Sequence, residues 1–125
     1  MNHWMKIRTP FFEKIARDQK HLEVRLFDAK RRAFNRGDII TFTDEETGKS
    51  LDVQIEDLYI YPNFRALFSK FPSEQFGFEK NATIDAMVEY MYTIYQPWDE
   101  RRYGVVAIKL SLLKKRRNND ASSFD

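Results

Sequence analysis

Lys20, Glu23 and Arg25 fall within six consecutive residues and carry an ammonium, a carboxylate and a guanidinium. Read as a strand over Leu22 to Leu26, their segment alternates, with Leu22, Val24 and Leu26 on one face and Glu23 and Arg25 on the other. At a rise of about 3.3 Å per residue, Glu23 and Arg25 lie roughly 7 Å apart on one surface. Lys20 precedes the strand, so the three groups can converge on one pocket. Arg25 offers a planar fork of donors suited to phosphate or a base edge, and Glu23 accepts from an exocyclic amino group. Lys20 serves either as an ionised phosphate contact or, if desolvated, as a base. The competing reading is an exposed ion pair on a strand, worth no more than about 1 kcal/mol.

A second feature follows in Lys30-Arg31-Arg32 and Arg36. Residues 20–36 hold six basic and two acidic side chains, whereas residues 1–113 balance at 17 of each. A basic loop here would neutralise a phosphate backbone, with binding that weakens in salt, or simply be solvated. Phe27 and Phe34 flank it, and anchoring it to the core is their simpler use. His21 is read as a surface histidine rather than a general base. Trp98 is read as a plug for the loop after the third helix, and Tyr61, Phe64, Tyr92 and Tyr95 as packing residues.

The elements that position these groups follow from periodicity. His3 to Ile7 makes a short strand. Thr9 then caps a helix that has Pro10 at its first position and runs to about Asp18. After the charged strand and the basic loop, Gly37-Asp38 opens a strand from Ile39 to Thr43, and Gly48 supplies the positive φ of a hairpin turn. The return strand from Leu51 to Tyr61 alternates with one wet face. Asn63 caps a second helix whose stripe is Phe64, Leu67, Phe68 and Phe71. A third helix starts near Thr83, with a buried stripe from Ile84 to Tyr95 and Pro97 beyond its end. The closing strand from Tyr103 to Leu110 is almost continuously apolar, as expected of a strand inside a sheet.

Composition narrows the classes. Among 125 residues there is no cysteine, which excludes disulfides and thiolate metal sites, and only two histidines, so no metal or cofactor is expected. No apolar run approaches the roughly 20 residues of a bilayer span, and no signal-peptide segment opens the chain, so no membrane partner and a cytoplasmic location are expected. One domain over residues 1–113 is expected, followed by a flexible basic and polar tail over 114–125. Phosphate loops, dinucleotide fingerprints and nucleophile elbows do not occur.

Taken in order, Lys20-x-x-Glu23-x-Arg25, Gly37-Asp38, Tyr61-x-x-Phe64-x-x-Leu67, Phe76-Gly77-Phe78, Ile94-Tyr95 and Tyr103-Gly104-Val105-Val106-Ala107-Ile108 resemble the ASCH domain, a member of the PUA-like superfamily. The resemblance covers about residues 5–112. It implies an α+β fold: a PUA-like small mixed curved sheet or β-barrel flanked by about three helices, with a cleft lined by Lys20, Glu23 and Arg25. It implies RNA or a nucleotide-like ligand as partner, contacted by Lys20, Glu23, Arg25, Lys30, Arg31, Arg32 and Arg36. A smaller branch comprises amidohydrolases that deacetylate N4-acetylcytidine through a lysine, a threonine and a glutamate, and other members are ribonucleases. By position, Lys20 matches that lysine, Glu23 stands where the threonine belongs, and Glu79 is the nearest counterpart of the glutamate. The alternative is therefore a small amidohydrolase acting on an acylated nucleoside, or a ribonuclease, with Lys20, Glu23 and Glu79 catalytic; loss of the threonine weighs against it.

Overall fold

The computed structural model of the protein describes residues 1–115. Its strands are β1 (Asn2–Ile7), β2 (Leu22–Leu26), β3 (Ile39–Asp44), β4 (Ser50–Tyr61) and β5 (Val105–Lys115), in one sheet of order β1-β3-β4-β5-β2. The β1–β3 pair is parallel and the other pairs are antiparallel. The mixed sheet curls into a half-barrel with β1 and β2 at its two edges, in an α+β fold of the PUA-like kind. Register shifts in the β4–β5 ladder at Asp52/Val53 and Ile55/Asp57 coincide with this curvature, as bulges bend and twist a strand. Strand β5 runs through Lys115, and the remaining tail residues lie outside the described ones.

The continuous apolar run of β5 has its cause in burial on both faces. Val106, Ile108 and Leu110 join one core with Met5, Phe12, Phe42 and Val53. Val105 and Ala107 join a second with Leu22, Phe64, Phe68, Phe76, Met87 and Met91. The first core packs Phe12 and Ile15, from the helix after β1, against the sheet, and the second packs Phe64, Phe68, Met87 and Met91, from later helices, against it.

Five α-helical segments occur among the described residues, against about three expected: α1 (Thr9–Ala16), α2 (Ala29–Arg32), α3 (Phe64–Phe68), α4 (Ile84–Met91) and α5 (Pro97–Tyr103). The basic loop contains α2, a single turn whose first N–H groups are capped by the Asp28 side chain accepting from the Arg31 amide at 3.2 Å. One turn is too short to show a period. Helix α5 carries no apolar stripe, because its single buried residue is Glu100. The stripe expected of the third helix is buried at Met87, Val88 and Met91 and partly buried at Ile84 and Tyr95, but Ile94 is exposed because the helix itself stops at Met91. Asn63 caps as expected, accepting from the Ala66 amide, and Thr83, near which the third helix was expected to start, accepts from the Ala86 amide. Thr9 does not cap: it is the first helical residue and donates from Oγ1 to Asp44 Oδ1 at 2.6 Å.

Glu100 explains why a polar helix stays in place. Its carboxylate is buried, accepts from the Phe64 backbone amide at 2.7 Å and receives the Tyr92 hydroxyl. That hydrogen bond, with burial, raises the Tyr92 pKa. Glu100→Ala leaves the buried Phe64 amide unpaired, so a loss of about 1–3 kcal/mol in urea unfolding is expected; a change within experimental error would show that α5 is held otherwise.

Candidate functional site

Strand β2 alternates as its sequence dictates. Leu22, Val24 and Leu26 enter the helix-side core, while Glu23 and Arg25 pair in register with Ile108 and Val106 and share their opposite face. The carboxylate of Glu23 lies between two cations. Its Oε1 is 3.1 Å from Lys20 Nζ, and its Oε2 is 2.7 Å from Arg25 Nε and 2.6 Å from Nη2. Lys20 is 3% exposed and Glu23 7%, which overturns the reading of an exposed surface pair. Burying such charges costs several kcal/mol per ion unless other hydrogen bonds compensate, and here they do.

Lys20 Nζ donates to the carbonyls of Leu22 at 2.7 Å and Phe76 at 2.6 Å, so with Glu23 its three protons have three acceptors. Arg25 Nη2 also donates to the Lys6 carbonyl at 2.9 Å, reaching from one edge strand of the half-barrel to the other. Burial lowers the Lys20 pKa, and Glu23 only partly offsets it. Burial alone would raise Glu23, but Arg25 and Lys20 outweigh it and hold its carboxyl below the usual range. Arg25 is raised: burial opposes its charge, and Glu23 together with the nearby Tyr95 hydroxyl prevails.

This trio lines a cavity of about 250 Å³. Phe11 from α1, Phe76 and Phe78 around Gly77, Tyr90 and Met91 from the end of α4, and Ile94 and Tyr95 just beyond it supply its other walls, with Lys6, Ile7, Arg8, Val24 and Glu45 completing the lining. Gly77 has φ +87°, and a Cβ there would lie 3.0 Å from both Lys20 Cδ and Phe11 Cδ1. Lys14 Nζ donates to the Gly77 carbonyl at 2.8 Å, so two lysines grip successive carbonyls of this turn. Phe11 stands 5.7 Å from both Phe78 and Tyr90, which fixes the aromatic wall.

Chemically, the site pairs a donor with an acceptor. Of the five guanidinium N–H groups, those on Nη1 are not taken by Glu23 or Lys6, the Tyr95 hydroxyl being the guanidinium's other side-chain neighbour, and Glu23 Oε1 keeps one lone-pair direction beyond its contact with Lys20. Lys20 has no spare valence in this arrangement, so it positions Glu23 and the Phe76 carbonyl.

The other sequence-derived residues lie apart from the cavity wall. Glu79 does not line it; its backbone carbonyl accepts from Ser73 Oγ. Lys30 is exposed and donates to the Trp4 carbonyl at 2.8 Å. Arg31 pairs with Asp28 at 3.1 Å, leaving its Nε without a partner. Arg32 stacks over Phe27 at 4.4 Å and donates to the Tyr103 carbonyl, and Arg36 is exposed. Phe34 is buried, as anchoring requires. Trp98 is 60% exposed and plugs nothing, because α5 turns it outward. Sequence reasoning missed Lys6, Arg8, Phe11, Phe78 and Tyr90 as lining residues. Tyr95, read as a packing residue, does stack on Phe64 at 5.9 Å and lines the cavity as well.

Comparison with known proteins agrees with this architecture. The family model described as the ASCH domain matches residues 5–114. Among solved structures, hypothetical protein PH0355 superposes with a TM-score of 0.81 at 32% identity, covering 90% of this chain and 100% of that one. Protein PF0455 from Pyrococcus furiosus gives 0.72 at 33% identity, covering 90% and 98%. No curated protein matches.

Proposed function

The chain belongs to the ASCH domain family, and on that footing we propose that its cavity binds a nucleobase-bearing ligand, either a nucleotide or an unpaired base of RNA. The observation behind this reading is the cavity itself, a charged floor of Glu23 and Arg25 beneath aromatic walls. A flat heterocycle stacks on Phe11, Phe78 or Tyr90 while its edge offers an acceptor to Arg25 and a donor to Glu23. At about 250 Å³ the cavity is smaller than the roughly 300–1,000 Å³ that holds drug-sized ligands, which suits one base or nucleoside.

Binding of the four common nucleoside monophosphates by titration calorimetry tests this. Arg25→Lys keeps a charge beside Glu23 but loses the fork, and Arg25→Met loses both. Weakening of about 10–100-fold is expected for Arg25→Met, the worth of a charge-assisted hydrogen bond, with Lys49→Ala unchanged. No binding to any nucleotide, or equal effects at Arg25 and Lys49, would sink the proposal.

Hydrolysis of an acylated nucleoside is the weaker reading. Lys20 would have to surrender one of its three acceptors to act as a base, and Glu79 does not line the cavity.

A further inference from the structure

Two residues that line the cavity, Lys6 and Arg8, also belong to the outer face of edge strand β1. Met5 and Ile7 point into the half-barrel core, so Trp4, Lys6 and the extended residue Arg8 occupy the opposite face. Same-face neighbours are about 6.6 Å apart along a strand, which makes this a row of one aromatic and two cations ending at the cavity. Trp4 is 62% exposed. Arg8 is steadied at the mouth, with its guanidinium 5.6 Å from the Tyr90 ring centroid and Nη1 donating to the Tyr90 hydroxyl at 3.1 Å. Beside Trp4, the Lys30 ammonium is fixed on the Trp4 carbonyl. None of Lys6, Arg8 and Lys30 enters an ion pair among the described residues.

We propose that this face of β1 is a track for a single-stranded nucleic acid, with a base stacked on Trp4, phosphates on Lys6 and Arg8, and the next accessible base in the cavity. The proposal rests on the nucleobase reading of the cavity and extends it: the ligand is a strand rather than a free nucleotide. Three features carry it. Exposed tryptophan is a stacking platform for any base. Cations free of carboxylate partners complement a phosphate backbone. The row is continuous with the cavity through Lys6 and Arg8, which line both.

Trp98→Phe leaves Trp4 as the sole tryptophan, so its emission reports stacking directly. Against this background, hexaribonucleotides and hexadeoxyribonucleotides of mixed sequence are titrated beside mononucleotides. The hexamers should quench Trp4 and bind at least tenfold tighter than the mononucleotide; the two sugar series separate RNA from DNA as the natural strand. Trp4→Ala should weaken the hexamer by about fivefold or more. The pair Lys6→Gln and Arg8→Gln should reduce the slope of log affinity against log salt by about 1.4, at roughly 0.7 per phosphate contact on a single strand. All three residues are exposed, so the fold should persist, and only Arg8→Gln, which gives up the contact with Tyr90, should shift thermal unfolding, and slightly. Equal affinity for hexamer and mononucleotide, or hexamer binding indifferent to these substitutions, overturns the track and leaves the cavity reading standing. Failure of every nucleotide and oligomer to bind removes both.

Discussion

Glu23→Ala is expected to lower the free energy of unfolding by about 3–5 kcal/mol, because it strands the buried Lys20 ammonium and the partly buried Arg25 guanidinium without their common counter-charge. Lys20 and Arg25 meet on this one carboxylate, at 3.1 Å and 2.6 Å. Urea denaturation monitored by circular dichroism measures the effect. A loss below about 1 kcal/mol would mean that the trio is hydrated and behaves like a surface pair. Glu23→Gln keeps the shape and removes the charge, which separates electrostatics from packing.

The same residue predicts an acid limb. Burial alone would raise the Glu23 pKa, but Arg25 and Lys20 outweigh it and depress it. A depressed carboxyl contributes stability that is fully present above its unfolded value of about 4.3 and is lost as pH falls through the folded value. The stability gap between wild type and Glu23→Gln should therefore be constant near neutrality and narrow below about pH 4. A gap independent of pH would remove the electrostatic origin.

The second large effect is expected at Gly77. Its φ of +87° costs an alanine about 1–2 kcal/mol, and the new Cβ, 3.0 Å from both Lys20 Cδ and Phe11 Cδ1, adds overpacking of about 1–3 kcal/mol. Gly48→Ala is the internal control: φ there is +74°, but nothing lies within 4 Å of the added Cβ. Gly48→Ala should show the backbone penalty alone. Because Lys20 and Phe11 both line the cavity, Gly77→Ala should also weaken nucleotide binding while Gly48→Ala does not. If the two substitutions cost the same in urea and leave binding alike, the turn at Gly77 does not shape the site.

Together these residues make the site an extension of the fold. Arg25 joins the edges of the half-barrel through the Lys6 carbonyl, and Lys20 joins β2 to the Phe76 turn. A ligand on Arg25 therefore engages the group that holds β1, the strand carrying Trp4, Lys6 and Arg8.

What the chain's own order determined is everything with a short period. Alternation from Leu22 to Leu26 put Glu23 and Arg25 on one face, because side chains on a strand must alternate, and the unbroken run of β5 announced burial on both sides. Asn63 and Thr83 announced their helices through the amides they cap. Elements of one or two turns without an apolar stripe, α2 and α5, escaped because a period needs length to be visible. Only the tertiary structure decided whether the charged trio was a solvated pair or a buried floor. That outcome depended on acceptors far away in the chain: the Phe76 carbonyl, 56 residues from Lys20, and the Lys6 carbonyl, 19 from Arg25. Sequence fixes the face on which a charge projects, whereas the desolvation that makes the charge consequential belongs to whatever else the fold folds over it.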